Sequence, residues 1–202
     1  MRLFVAAEIG EALAAQVEAL SDALQKRTAK AVPRAKVTWI PSQRMHLTIR
    51  FIGEVDEMRA AAIGTAFEPP IDVAAFELTL AGAGTFPKSG APRVVWVGVT
   101  RGVEELLAAE RQISARLIRV GVPGEERSYS PHLTLARVRE PAGLRSARLL
   151  EGLTETTIGT VWVDAITLFQ SKLSPKGPTY LPLLRIPLQE AGGRGQVAGR
   201  GR

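Results

Sequence analysis

Apolar residues recur along this chain at two spacings, every second position or every third to fourth, and the switches between them mark out the elements. Residues 3–9 are a short apolar run closed by Gly10, the pattern of a strand. Residues 11–28 set Leu13, Val17, Leu20 and Leu24 along one face with charges between them, as an amphipathic helix does. A loop through Pro33 leads to Val37-Thr38-Trp39-Ile40. Pro41-Ser42 makes a turn, and a strand over 45–52 follows, closed by Gly53. Asp56 is placed to cap a helix over 57–67, which Pro69-Pro70 stops. Residues 76–80 alternate as a strand, 82–92 read as a glycine-rich loop, and 93–99 are apolar enough for a central strand.

The order then repeats. Residues 103–120 carry Val103, Leu106, Leu107, Ile113, Leu117 and Val120 at helical spacing, ended by Gly121. A loop through Gly124-Glu125-Glu126-Arg127 leads to Ser130-Pro131 and a strand over 132–138. Pro141 is placed to open a short helix over 142–152. Residues 160–169 form one strand, 172–179 a Pro/Gly loop, and 180–188 a last strand whose prolines suit an edge. Each half, about 1–92 and 93–188, runs strand, helix, strand, helix, strand. This predicts an internal duplication folded as one bilobal α+β domain, two pseudo-symmetric lobes of mainly antiparallel sheet with outer helices. The glycine- and arginine-rich residues 189–202 are expected to form a disordered tail.

One phrase occurs at matching points of the two halves: His46-Leu47-Thr48-Ile49 and His132-Leu133-Thr134-Leu135, 86 positions apart. These are the chain's only two histidines. On a strand, His and Thr share one face and the apolar pair takes the other, so each copy offers an imidazole and a hydroxyl about 7 Å apart. Two such strands facing across a cleft make a four-point cradle.

Composition narrows what that cradle does. With no cysteine, disulfides, thiolate nucleophiles and zinc–sulfur sites are excluded, and two histidines make a poor metal centre. The net charge of +6 points to an anionic partner, although three of those charges, Arg194, Arg200 and Arg202, sit in the tail. No apolar run is long enough to span a membrane, and the first residues do not resemble a signal peptide. A cytoplasmic monomer is the expectation.

Histidine titrates near neutrality, so a pair flanking a phosphorus can divide the work of base and acid. The threonines suit the non-bridging phosphate oxygens, and an arginine fork suits the developing charge. Arg50 lies four residues beyond His46 and shares its face by alternation. Arg137 lies five beyond His132 and needs a bulge or twist to reach the cleft. Trp39, Trp96 and Trp162 all read as core or lobe-packing residues, Trp39 being the best placed of them to stack a base.

The two phrases, with Met1-Arg2-Leu3-Phe4-Val5-Ala6 and Pro92-Arg93-Val94-Val95-Trp96, are similar to the 2H phosphoesterases. The nearest branch is the LigT-like RNA 2′,3′-cyclic phosphodiesterases, first described as 2′-5′ RNA ligases. That resemblance covers about 1–188. It implies a bilobal fold, no metal or other cofactor, and hydrolysis of an RNA-terminal 2′,3′-cyclic phosphate to a 2′-phosphate. It also implies His46 as proton donor, His132 as proton acceptor, and Thr48, Thr134 and Arg137 as phosphate ligands. RNA ends or small cyclic nucleotides are the implied partners. The sequence leaves the acid and base assignment of the two histidines open. It also leaves open two other readings, a 2′-5′ ligase running the reverse chemistry and an RNA-binding module without turnover.

Overall fold

The computed structural model describes residues 1–175 and 177–190. Among them, ten strands form two five-stranded sheets. The elements are β1 (Arg2–Ala7), α1 (Gly10–Ala31), β2 (Lys36–Trp39), β3 (Leu47–Glu54), α2 (Glu57–Ala66), β4 (Ile71–Ala74), β5 (Phe76–Phe86) and β6 (Val94–Arg101). Then come α3 (Val103–Arg119), β7 (His132–Glu140), α4 (Ser146–Leu150), β8 (Thr157–Val163), β9 (Ala165–Ser174) and β10 (Gly177–Gln189). One sheet has the order β3-β1-β9-β10-β4 and the other β2-β7-β6-β5-β8, antiparallel throughout except where β10 meets β4. The bilobal α+β arrangement is as the pattern predicts.

The lobes do not coincide with the halves of the chain. The sheet carrying the first motif strand takes β9 and β10 from the second half, and the other takes β2 and β5 from the first. The long helices cross over too: α1 packs on β8, and α3 on β3 and β4. A single apolar core therefore runs through both sheets, from Leu3, Val5 and Leu47 to Val95, Val97, Leu133 and Leu135. The apolar alternate positions of both motif strands are wholly or almost wholly buried in it. Strand β1 is buried on both faces, with Phe4 and Ala6 joining Phe169 in a second cluster against Tyr180 on the side opposite the main core.

Several elements depart from the pattern. The supposed loop 82–92 is strand as far as Phe86: Gly82, at φ +66°, is the extra residue of a bulge against β6, and Gly84 lies beneath the Trp96 ring. Residues 160–169 are two strands, β8 and β9, which part at Asp164 and enter different sheets. The helix expected over 142–152 shrinks to α4, because Ala142 and Gly143 both take left-handed backbone after Pro141. The loop expected over 172–179 is mostly the β9–β10 hairpin. β10 extends to Gln189, and residues 191–202, most of the predicted tail, lie outside the described residues. The short strand β4 carries no sequence signal beyond Ile71 and Val73, both buried.

Candidate active site

A cleft of about 930 Å³ takes lining from both sheets, and His46, Thr48, His132, Thr134 and Arg137 all line it. Its size is that of a small-molecule site. Trp39 is not among its lining residues: its ring packs against the main core, as expected of a packing residue. Trp96, read as a packing residue, lies on the site side of β6, 6.2 Å from the His132 ring.

The two histidines are held alike. His46 Nδ1 donates to the Arg44 carbonyl at 2.9 Å, and His132 Nδ1 donates to the Ser130 carbonyl at 2.7 Å. A carbonyl only accepts, so each bond places the proton of a neutral ring on Nδ1 and leaves Nε2 as the nitrogen able to exchange one with a substrate. In both cases the accepting residue is two positions earlier, in the turn that the Pro- and Ser-containing segment makes.

Their surroundings differ. Around His46 lie Phe4, Phe169 and Tyr180, with centroids at 4.8, 6.3 and 4.9 Å. Burial in this nest pushes its pKa down to about 4, against the Arg44 carbonyl, which raises it. His132 meets Phe86 edge-on at 5.1 Å and otherwise stands closer to solvent. Burial also holds the Tyr180 phenol above its ordinary pKa despite Arg44, Arg137 and Arg2 nearby. Its hydroxyl therefore keeps its proton as a donor.

Matching bulges decide which residues follow the histidines into the cleft. Ala6 pairs with Thr48 and Val5 with Arg50, so Ile49 is an extra residue in β3. Trp96 pairs with Thr134 and Val95 with Ala136, so Leu135 is the extra residue in β7. Each bulge inverts the alternation beyond it. In β7 this brings Arg137 onto the face of His132 and Thr134, where simple alternation forbids it. In β3 it turns Arg50 away. The expectation that Arg50 lines the cleft is thus corrected. It is only 3% exposed, and its guanidinium reaches the Pro123 carbonyl at 2.5 Å and Glu125 Oε1 at 2.7 Å. Phe51 takes the cleft position that alternation gives to Arg50.

The pattern passed over most of the cleft's cations. Arg2, Arg44, Arg93 and Arg127 line it with Arg137, against one carboxylate among the described residues, Glu125, which pairs with Arg50. The sequence signal was present for Arg44 and Arg93, which flank the motif strand and the central strand. Arg127 lies in a loop whose path no periodicity describes. Among the described residues no cluster of three or more His, Asp or Glu is placed to hold a metal ion. No described helix is long and apolar enough to cross a membrane.

Comparison with known proteins agrees with this geometry. A family model described as the 2′-5′ RNA ligase superfamily matches residues 9–174. An RNA 2′,3′-cyclic phosphodiesterase of Thermus thermophilus is 35% identical over 220 aligned positions, covering 100% of this chain and 97% of its own length. Another, from Aeropyrum pernix, is 36% identical over 154 positions, 76% of this chain and 87% of that protein. The crystal structure of E. coli LigT complexed with 3′-AMP superposes with a TM-score of 0.70 at 26% identity, covering 94% of this chain and 98% of that one.

Proposed function

This chain belongs to the 2′-5′ RNA ligase superfamily, and from that premise we propose that it is an RNA 2′,3′-cyclic phosphodiesterase working with a histidine acid–base pair and no metal ion. The observation that carries the reading is the pairing in one arginine-lined cleft of two histidines, each with Nδ1 tied to a backbone carbonyl and Nε2 left for chemistry.

His132 takes a proton from water, and the water oxygen attacks phosphorus. As the P–O3′ bond breaks, His46 gives a proton to the departing 3′-oxygen, leaving a 2′-phosphate and a free 3′-hydroxyl. Thr48 and Thr134 hold the non-bridging oxygens, and Arg137 neutralises the charge that grows on them. With its pKa near 4, His46 is neutral in the free protein at pH 7, which suits a base better than an acid. The bound phosphate supplies the missing condition: an anion beside the ring favours the imidazolium, so the substrate loads its own proton donor. With a ribose 5′-hydroxyl in place of water, the same attack on the cyclic phosphate breaks the P–O3′ bond, protonates the 3′-oxygen and joins two ends through a 2′-5′ linkage.

The test is incubation of the wild-type and His132→Ala proteins with an RNA oligonucleotide ending in a 2′,3′-cyclic phosphate, in EDTA. Conversion to a 2′-phosphate by wild type alone is expected. Binding of the oligonucleotide without product would favour the RNA-binding module, and activity restored only by added metal would remove the metal-free mechanism.

A further inference from the structure

The carbonyls that hold the two histidines are themselves supported unequally. Arg44 closes a 3-10 turn, Ser42–Arg44, which backbone bonds hold from within: Arg44 N–H donates to the Pro41 carbonyl at 2.9 Å, and Met45 N–H to the Ser42 carbonyl at 3.0 Å. Ser130 ends a segment with no such support. Among the described residues, 124–130 make no backbone–backbone hydrogen bond. Side chains hold the segment instead. Near its end Tyr129 packs on the main core with its hydroxyl buried. At its start Arg50 reaches across from β3 with both arms of its guanidinium, Nη2 to the Pro123 carbonyl and Nη1 to Glu125 Oε1. Arg50 lies two residues beyond Thr48, and the bulge at Ile49 is what turns it this way.

A buried ion pair is a weak source of stability, because desolvation offsets the attraction. Burial indeed pulls the Arg50 pKa below the ordinary arginine value, against Glu110 of α3, which raises it. What the planar fork does supply is geometry, since it fixes distance and angle to two partners at once. We propose that Arg50 is a positioning residue for His132: by pinning the 123–130 segment to the first motif strand, it sets where the Ser130 carbonyl stands. That carbonyl in turn decides which nitrogen of His132 carries the proton and where Nε2 points. The inference rests on the acid–base role proposed above for His132. One buried side chain, touching neither ring, thus spaces the base of the second motif from Thr48 of the first. A misplacement of about 1 Å between reacting groups is enough to cost roughly 100-fold in rate.

The experiment compares wild type, Arg50→Lys and Glu125→Gln by nitrogen-15 NMR of the imidazoles, above the titration of both rings, and by steady-state hydrolysis of a cyclic-phosphate RNA. The chain has two histidines, so four ring nitrogens report the outcome. In wild type both rings should carry the proton on Nδ1. Lysine keeps the charge but cannot span both partners. In Arg50→Lys, His132 should therefore exchange between tautomers, while His46, held by its own turn, keeps Nδ1–H. kcat should fall by about 10- to 100-fold, with KM within about threefold of wild type. The Glu125 side chain is 47% exposed, so Glu125→Gln frees one arm of the fork without opening a cavity. It serves where Arg50→Lys fails to fold, with the same change at His132 expected. His132 still wholly protonated on Nδ1, or kcat as in wild type, in the folded variants would reduce Arg50 to a brace and overturn the proposal. A raised KM with kcat unchanged would overturn it too, since the effect would then lie in binding. Absence of turnover in wild type, with His132 shifted in the variants, would overturn the proposed reaction and still support the positioning.

Discussion

The Tyr180 ring stands edge-on to His46, with centroids 4.9 Å apart and planes at 88°, and it closes the aromatic nest that keeps this histidine uncharged. The unfolded chain protonates His46 near 6.5 and the folded chain only near 4, so between those values the unfolded state binds more protons. Stability contributed by the neutral ring is complete above about pH 6.5 and is lost as the pH falls toward 4. The whole loss is of the order of 3 kcal/mol. Urea unfolding from pH 4 to 7 should show this slope in wild type and a flatter one in His46→Gln. An NMR titration of His46 should place its pKa well below 6.5 in the free protein and higher with phosphate bound. A free-protein value at or above 6.5 would mean that the nest does not exclude charge.

Arg50 and Arg137 should respond oppositely to substitution. Arg50→Ala breaks the links to Pro123 and Glu125 beneath the loop that leads to His132. Its expected cost is about 2–4 kcal/mol of unfolding free energy, since a buried guanidinium is lost and its partners are stranded. Arg137 is exposed, and Arg137→Lys should leave stability within about 0.5 kcal/mol. The same change should lower kcat/KM by about 10- to 100-fold, because lysine lacks the planar fork. Unchanged stability in Arg50→Ala together with lost activity would return Arg50 to the cleft.

Gly84 and Trp96 form a lock-and-key pair at the back of the His132 half. A Cβ on Gly84 would meet the Trp96 ring at 2.2 Å, so Gly84→Ala must displace the indole that lies beside His132. The expected destabilisation is about 1–3 kcal/mol, the usual range for overpacking. Trp96→Leu should relieve it, giving a double variant that costs less than the sum of its parts by more than about 0.5 kcal/mol. Strict additivity would show that the ring had another place to go.

Thr48→Ala and Thr134→Ala should each raise the barrier to hydrolysis by roughly 1–3 kcal/mol, the range for one lost hydrogen bond to a charged group. Single-turnover rates on a cyclic-phosphate oligonucleotide measure this, with thermal unfolding as the control. Rates equal to wild type in both would take the hydroxyls out of the mechanism.

The polar face of each motif strand was legible because His-x-Thr-x obeys strand alternation right up to the bulge. Beyond it the same rule failed for Arg50, since a bulge belongs to the pairing of two strands and leaves no mark on either sequence alone. Arg137 was reachable only by allowing such a bulge. Residues 160–169 read as one strand because a continuous apolar run does not say when it leaves one sheet for another. Gly82 and Gly84 pointed to a loop because glycine signals turns, whereas here one supplies the bulge and the other clears room for an indole. Composition revealed the positive charge, but its concentration into five cleft arginines arose from elements far apart in the chain.

The exchange of strands between the halves has a consequence for how the molecule comes into being. When the first hundred residues have left the ribosome, the sheet that carries His46 still lacks β9 and β10, and the sheet that will carry His132 lacks its motif strand. Neither lobe can close early. Folding must wait for contacts between distant parts of the chain, which makes it slow compared with a protein of local contacts. A nonsense truncation anywhere before β9 therefore yields no partial enzyme, whereas two separately expressed fragments, split in the exposed loop after Pro87, carry complementary edges that can find each other and rebuild one cleft.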